Sequence, residues 1–98
     1  MRHEAATVHE LSRVAELAVL PGETLVKLAR AMKRHELEAG GEHDAGGRYA
    51  VVVGGMLTGA GGVLRPGQRV SGRVRALTPA AIASCEQTVY DEIAGAAR

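Results

Sequence analysis

The strongest constraint on the fold of this chain is the distribution of its glycines. All 13 glycines except Gly22 and Gly95 lie between residues 33 and 84 of the 98-residue sequence. There they alternate with short runs rich in Val and Leu, a spacing typical of many short β-strands joined by tight turns. We predict strands at roughly 33–38, 48–53, 56–59, 63–65, 68–70, 73–77 and 80–84.

Both ends of the chain have the periodicity of helices instead. In TVHELSRVAELAVL the apolar residues fall on one helical face, and Thr7 and Glu10 have the spacing of a capping box. GETLVKLARAM predicts a second helix, with its acidic residue early and its basic residues late. Val89 and Ile93 are four residues apart in a short closing helix, so helices are expected over about 8–32 and 86–97.

The order of these elements predicts the fold class. Strands that are not separated by helices form antiparallel sheets, and the helices gather at the ends. We therefore expect a single domain over 1–98 of the α+β class, mainly β. Its centre is an antiparallel β-roll, or jelly roll, over about 33–84, flanked by two N-terminal helices and one C-terminal helix.

Composition restricts the function mainly by exclusion. The formal charge is +1 and 2% of the residues are aromatic, which argues against nucleic-acid binding, because such proteins carry a basic excess and stack bases on aromatic rings. A single cysteine fits a reducing compartment. No apolar run approaches the length of about 20 residues that spans a bilayer. We expect a cytoplasmic protein that binds neither nucleic acid nor membranes. Because Phe and Trp are absent, we also expect either marginal stability or extra burial in a homo-oligomer.

The glycines between strands raise the hypothesis of a phosphate-binding loop. Gly59, Gly61 and Gly62 would need a helix directly after them, since the helix N-terminus supplies the donors to a pyrophosphate. Pro66 and Gly67 exclude a helix of useful length at that place. We therefore interpret the stretch as tight turns: Gly54-Gly55 turns one strand back on the next, and Pro66-Gly67 makes another turn.

The order of the glycine-containing segments resembles that of a known family. LVKLARAMKRHELEAGGEHDAGGRYAVVVGGMLTGA is followed by LRPGQRVSG and VRALTPAAIASCEQTVYDEIAG. Over about residues 10–97 this order resembles the cyclic-nucleotide-binding domain family, the sensor module of catabolite-activator-type regulators, cyclic-nucleotide-dependent kinases and gated channels. The matching positions are Gly40, Gly41, 49–55, Leu64, Gly67, Gly72, 74–78 and 81–83. The resemblance implies a β-roll with a cassette that holds the sugar and the cyclic phosphate.

The cassette is where this sequence departs from the family. In binding members the glycine is followed by a Glu for the ribose hydroxyl, a short helix, and an Arg with small residues for the phosphate. Here Ser71 and Gly72 run almost directly into Arg73 and Arg75, so the acidic residue and the short helix are missing. A phosphate then loses several charge-assisted hydrogen bonds, and we expect weak or absent nucleotide binding. Ser71, Gly72, Arg73 and Arg75 remain the candidate ligand-binding residues; the alternative is that both arginines are exposed charges at alternating strand positions.

Histidines and the cysteine support two weaker hypotheses. His35 with Glu36, and the segment EHD at 42–44, contain metal-ligating residue types, as in the cupins, another β-roll family. A cupin site expects a further His after its Pro-Gly turn, and QRVSGRVRALT contains none, so we interpret the histidines as solvated loop residues. Cys85 lacks an identifiable base and is interpreted as a packed side chain. We predict no metal, no cofactor and no catalytic residue.

These features together predict a non-catalytic regulatory or protein-interaction module. Two alternatives stay open: a working sensor of cyclic AMP or cyclic GMP that uses Arg73 and the amides near Gly72, and a cupin-like metalloprotein. The apolar face of the closing helix, with Val89 and Ile93, is the predicted surface for self-association or for a partner protein.

Overall fold

The structure is a computed structural model that describes residue 6 and residues 8–96. Its helices are α1 (Val8–Ser12), α2 (Ala15–Ala18), α3 (Gly22–Ala31) and α4 (Gln87–Gly95). Its strands are β1 (Lys33–Leu37), β2 (Glu42–Asp44), β3 (Tyr49–Gly54), β4 (Leu57–Gly59), β5 (Gly62–Leu64), β6 (Arg73–Ala76) and β7 (Ala80–Cys85). The predicted fold class, a mainly β arrangement flanked by helices, is confirmed.

Within these residues the strands form two antiparallel sheets, in the orders β1-β7-β3 and β2-β6-β4-β5. Strands β3 and β7 are buried along nearly their whole length because both of their faces are covered. Val51 and Ala83 face the helices and belong to one core, whereas Val52 and Ile82 face the second sheet and belong to another. The molecule is therefore built in three layers: helices, the β1-β7-β3 sheet, and the β2-β6-β4-β5 sheet.

The two tyrosines of the chain connect α4 to the first sheet. The rings of Tyr49 on β3 and Tyr90 on α4 stack with centroids 3.8 Å apart and planes inclined by 10°. A stacked aromatic pair contributes about 0.5–1.5 kcal/mol beyond its buried area. In a core without Phe or Trp, this pair is the main aromatic contribution to packing.

The predicted turns at Gly54-Gly55 and Pro66-Gly67 are confirmed. Gly55 has φ +72°, and a Cβ atom there would lie 2.2 Å from the carbonyl oxygen of Pro79. Gly67 has φ +98°, and the amide of Gln68 donates to the carbonyl oxygen of Arg65 across this turn. Both glycines are required by backbone conformation, as expected of tight turns.

The first predicted helix is wrong as a single element, since it is divided into α1 and α2. Val14, between them, has an extended backbone (φ −87°, ψ 116°) and a fully buried side chain. The turn at Gly67 packs against the break between α1 and α2. A Cβ atom added to Gly67 would lie only 3.2 Å from the carbonyl oxygen of Arg13. Thr7, the first residue of the predicted capping box, lies outside the described residues.

Two strand predictions also differ from the structure. The polar segment 42–44 was not predicted, yet it forms β2 by pairing with β6, with His43 opposite Val74. The predicted strand at 68–70 is reduced to one isolated bridge between Val51 and Arg69. In both segments, pairing with a neighbouring strand determined whether a strand forms, and the residue pattern did not. Among the described residues, no helix is long and apolar enough to cross a membrane.

Candidate functional site

The turn at Ser71 and Gly72 lies at the position of the shortened cassette. Gly72 has φ +68°, in the left-handed region, and its carbonyl oxygen accepts a hydrogen bond from the amide of Ala45 at 2.9 Å. Strand β6 begins at the next residue, where Arg73 pairs with Asp44 of β2. The chain thus passes from the turn into a sheet with no intervening helix.

Arg73 and Arg75 lie on the outer face of the second sheet. Strand β6 alternates, so these arginines are exposed while Val74 and Ala76 are each 2% exposed and face the other sheet. Nη1 of Arg73 lies 3.6 Å from Oε1 of Glu42, and both side chains are more than half exposed. A pair this exposed contributes little to stability. Both arginines are thus exposed charges at alternating strand positions, as in the alternative interpretation of the sequence. A role for either arginine in ligand binding stays a prediction.

The space between the two sheets is occupied by apolar side chains. Its residues are at most 7% exposed: Ala45, Ala50, Val52, Leu57, Val70, Val74, Ala76, Ala80 and Ile82. The packing is close enough that a Cβ atom on Gly59 would lie 3.1 Å from Cγ1 of Val74. The roll therefore has a packed interior.

His35 and His43 do not lie in solvated loops, so that interpretation is wrong for both residues. His35 on β1 and His43 on β2 are half-buried, and their ring centroids are 4.8 Å apart. Nε2 of His35 lies 3.0 Å from the hydroxyl oxygen of Ser84, while Nε2 of His43 is buried with no hydrogen-bond partner among the described residues. Pairing of β1 with β7 and of β2 with β6 brings these side chains together. In the described part of the chain no three His, Cys, Asp or Glu residues form a group that could hold a metal ion.

Cys85 is a packed side chain at the end of β7, as the sequence indicates. It is 4% exposed and belongs to the core between the sheet and the helices. Burial raises the pKa of its thiol, and a hydrogen bond with the Tyr90 backbone and the charge of Arg48 offset that effect only in part. The thiol is therefore neutral near pH 7 and a poor nucleophile.

A polar cleft of about 400 Å³ opens beside Ser71. It is lined by Gly46, Gly47, Arg48, Arg69, Val70, Ser71 and Gln87, and we call it the Arg48/Arg69 cleft. Of the predicted site residues, Ser71 is the one that lines it. Arg48 and Arg69 were missed because they are distant in sequence. Predicted pairing between strands could have found them. The bridge between Val51 and Arg69 places the segment 69–71 antiparallel to the start of β3.

Arg69 is held by two contacts at one side of this cleft. Its Cζ atom lies 4.8 Å from the centroid of the Tyr49 ring, and its Nε lies 3.8 Å from Oε1 of Glu16. The Tyr49 hydroxyl is buried and has no hydrogen-bond partner among the described residues. Burial, and then the nearby Glu16 carboxylate, raise the pKa of Tyr49. Tyr49 therefore stays neutral and serves as a platform for the guanidinium.

The predicted association face on α4 is partly used within the chain. Ile93 is half-buried and packs, with Leu20, against the core beneath the helices. Val89 is also half-buried and lines a smaller cleft of about 200 Å³ with Lys33 and Arg48.

Several solved structures are similar to this one. The regulatory subunit of a cAMP-independent protein kinase A from Trypanosoma cruzi, bound to guanosine, matches with a TM-score of 0.68 and 18% identity over 90% of this chain and 40% of that one. The N-terminal domain of a transcriptional regulator from Streptomyces coelicolor A3(2) matches with a TM-score of 0.67 and 20% identity over 89% of this chain and 78% of that one. A cyclic nucleotide-binding-like protein from Brucella abortus matches with a TM-score of 0.59 and 18% identity over 88% of this chain and 95% of that one.

These matches establish that the chain has the fold of a cyclic-nucleotide-binding domain. The resemblance seen in the sequence is confirmed to that extent, since identities at this level carry the fold alone. The chain spans about two fifths of the length of the kinase regulatory subunit. No protein-family model matches the sequence, and no curated protein sequence matches it significantly.

Proposed function

We propose that this chain is a non-catalytic regulatory or protein-interaction module that binds cyclic nucleotides weakly or not at all. The observation that carries the proposal is the direct passage from Gly72 into β6 at Arg73. It leaves no room for an acidic residue or a short helix, and the arginines that follow point away from the packed interior.

The expected loss of affinity is large. A hydrogen bond to a charged group contributes about 1.5–3 kcal/mol. Losing two such bonds to a cyclic phosphate costs about 3–6 kcal/mol, which lowers affinity about 10²–10⁴-fold. Arg73 already interacts with Glu42 and would have to turn away from it to reach a ligand.

The absence of catalysis is supported by the chemistry of the described side chains. Cys85 is the only thiol of the chain, and it is buried and neutral. His35 and His43 contact each other between the sheets. A nucleophile needs a neighbouring base and access to substrate, and none of these three side chains has both.

The test is a calorimetric titration of the chain with cyclic AMP, cyclic GMP and guanosine. We expect no saturable heat for ligand concentrations up to about 1 mM. A dissociation constant of about 1 mM corresponds to a binding free energy of about −4.1 kcal/mol. Saturable binding in the micromolar range would overturn the proposal. If such binding were lost in Arg73→Gln but kept in Arg65→Gln, the alternative of a working sensor that uses Arg73 would replace it.

An interaction module also needs a partner, and we propose that part of α4 contributes to that contact. The predicted face of α4 contains Val89 and Ile93. Ile93 packs against the core cluster and Val89 does not, so Val89 is the residue that we assign to the contact. The partner is a second copy of this chain or another protein. Light scattering on the purified chain separates these cases, because a monomeric mass at high concentration counts against self-association.

A further inference from the structure

We propose that the Arg48/Arg69 cleft binds a phosphate monoester the size of a sugar phosphate. The site shares Ser71 with the candidate ligand-binding residues but uses neither Arg73 nor Arg75. It therefore goes beyond the proposed function, and either proposal can fail without the other.

The composition of the cleft favours an anionic ligand. Two guanidinium groups, the Ser71 hydroxyl and the Gln87 amide are donors, while Val70 is the single large apolar residue in the lining. Guanidinium groups present several N–H donors in a fixed fork that matches phosphate geometry. The volume of about 400 Å³ suits a small organic phosphate, since ligand pockets commonly measure about 300–1,000 Å³.

Arg48 is available for such a ligand. Its side chain is exposed and forms no ion pair or side-chain hydrogen bond with any residue that the structure describes. Arg69 is oriented by the Tyr49 ring, and its contact with Glu16, at 3.8 Å, is longer than a hydrogen bond. Two like charges that line one cleft repel each other, and a bound anion removes that repulsion.

Two nearby carboxylates, those of Asp44 and Asp91, already accept hydrogen bonds from residues that line the cleft. Oδ1 of Asp44 accepts from the amide of Gly46 at 2.9 Å, and Oδ1 of Asp91 accepts from Nε2 of Gln87 at 3.0 Å. These bonds hold the 44–46 turn and the first turn of α4 at the edges of the cleft. The lining itself contains two cations and no carboxylate.

The charge of the ligand distinguishes a monoester from a cyclic diester. A phosphate monoester carries a charge of about −1.5 to −2 at pH 7 and offers three terminal oxygens. A cyclic phosphate carries one negative charge and two terminal oxygens, so it gains less from two guanidinium groups. The cleft is therefore expected to prefer ribose 5-phosphate over cyclic AMP.

The experiment is a ¹⁵N–¹H correlation titration of the chain with ribose 5-phosphate, with ribose as the uncharged control and cyclic AMP as the diester. We expect saturable shifts of the Gly46, Gly47 and Ser71 amides with ribose 5-phosphate, none with ribose, and weakening as salt is added. Arg48→Gln should weaken binding about tenfold, since it removes one charge-assisted contact from an exposed site.

Matched variants make the outcome decisive. Arg65→Gln removes an equal charge from an exposed position outside the cleft lining and should leave the affinity unchanged, and Arg48→Lys should fall between wild type and Arg48→Gln. The proposal is overturned if no saturable shift occurs, if the shifts spread over all basic residues, or if Arg48→Gln and Arg65→Gln weaken binding equally. Unchanged spectra elsewhere in both variants exclude unfolding as the cause of a loss.

Discussion

Substitution of Gly55 by Ala tests the packing between the β3–β4 turn and the start of β7. Gly55 has φ +72°, and an added Cβ atom would lie 2.2 Å from the Pro79 carbonyl oxygen and 2.7 Å from Cα of Ala80. All of these neighbours are close to the backbone of a central strand, so no flexible side chain can move aside. The substitution must displace β7 or the turn itself.

The magnitude follows from three contributions. A non-glycine residue in the left-handed region costs about 1–2 kcal/mol. Overpacking adds about 1–3 kcal/mol, and the lower entropy of the unfolded chain returns about 0.4–1 kcal/mol. The free energy of unfolding should fall by about 1–5 kcal/mol, a large part of the 5–15 kcal/mol that is typical of a small domain.

Gly40 is the matched control for the strain alone. It has φ +87°, but an added Cβ atom there meets no atom within 4 Å. Gly40→Ala should therefore cost only about 0–1.5 kcal/mol. Gly61→Ala, with neither a positive φ nor a close neighbour, should be nearly neutral.

Thermal unfolding and urea denaturation, both followed by circular dichroism, measure the three variants. Each 1 kcal/mol corresponds to a shift in Tm of about 4–8 °C for a domain of this size. Gly55→Ala should melt at least about 4 °C below Gly40→Ala, because the two differ by the clash with β7. Equal stabilities of these two variants would refute the close approach of the turn to Pro79.

Further predictions concern the buried polar groups and α4. Tyr49→Phe removes a buried hydroxyl that has no partner among the described residues. The free energy of unfolding, measured in urea, should be unchanged or higher by up to about 1 kcal/mol. A fall of more than about 1 kcal/mol would reveal a hydrogen bond of the hydroxyl. Burial raises the pKa of Tyr49 above its ordinary value of 10.0, so the folded state favours the neutral phenol, and stability should fall as pH rises above about 10 and fall less in Tyr49→Phe. Cys85, whose thiol pKa is also raised by burial, should react with a thiol reagent at pH 8 many times more slowly in the folded chain than in urea, and equal rates would contradict its burial. Val89→Asp should reduce any self-association seen by light scattering and leave the far-ultraviolet spectrum unchanged, whereas Thr88→Asp on an exposed position of the same helix is its control.

Local residue pattern was sufficient for much of the fold. The continuous apolar runs of β3 and β7, the alternation of β6 and the helical spacing of α3 each reflect interactions within a few residues of chain. The turns at Gly55 and Gly67 were also predictable, since glycine tolerates a positive φ without steric cost. Their order along the chain was enough to predict a β-roll and its likeness to the cyclic-nucleotide-binding domains.

The tertiary structure alone decided the features that depend on distant pairing. Strand β2 is polar and exists because β6 lies beside it, and the break between α1 and α2 places Val14 in the core beneath the Gly67 turn. The same holds for the candidate site. Arg73 and Arg75, which the resemblance favoured, follow the alternation of β6 to the outer face, while Arg48 and Arg69 meet only because the 69–71 segment runs beside the start of β3. Side chains that are far apart in sequence converge through sheet register, and register is set by the whole core and by no short stretch of residues.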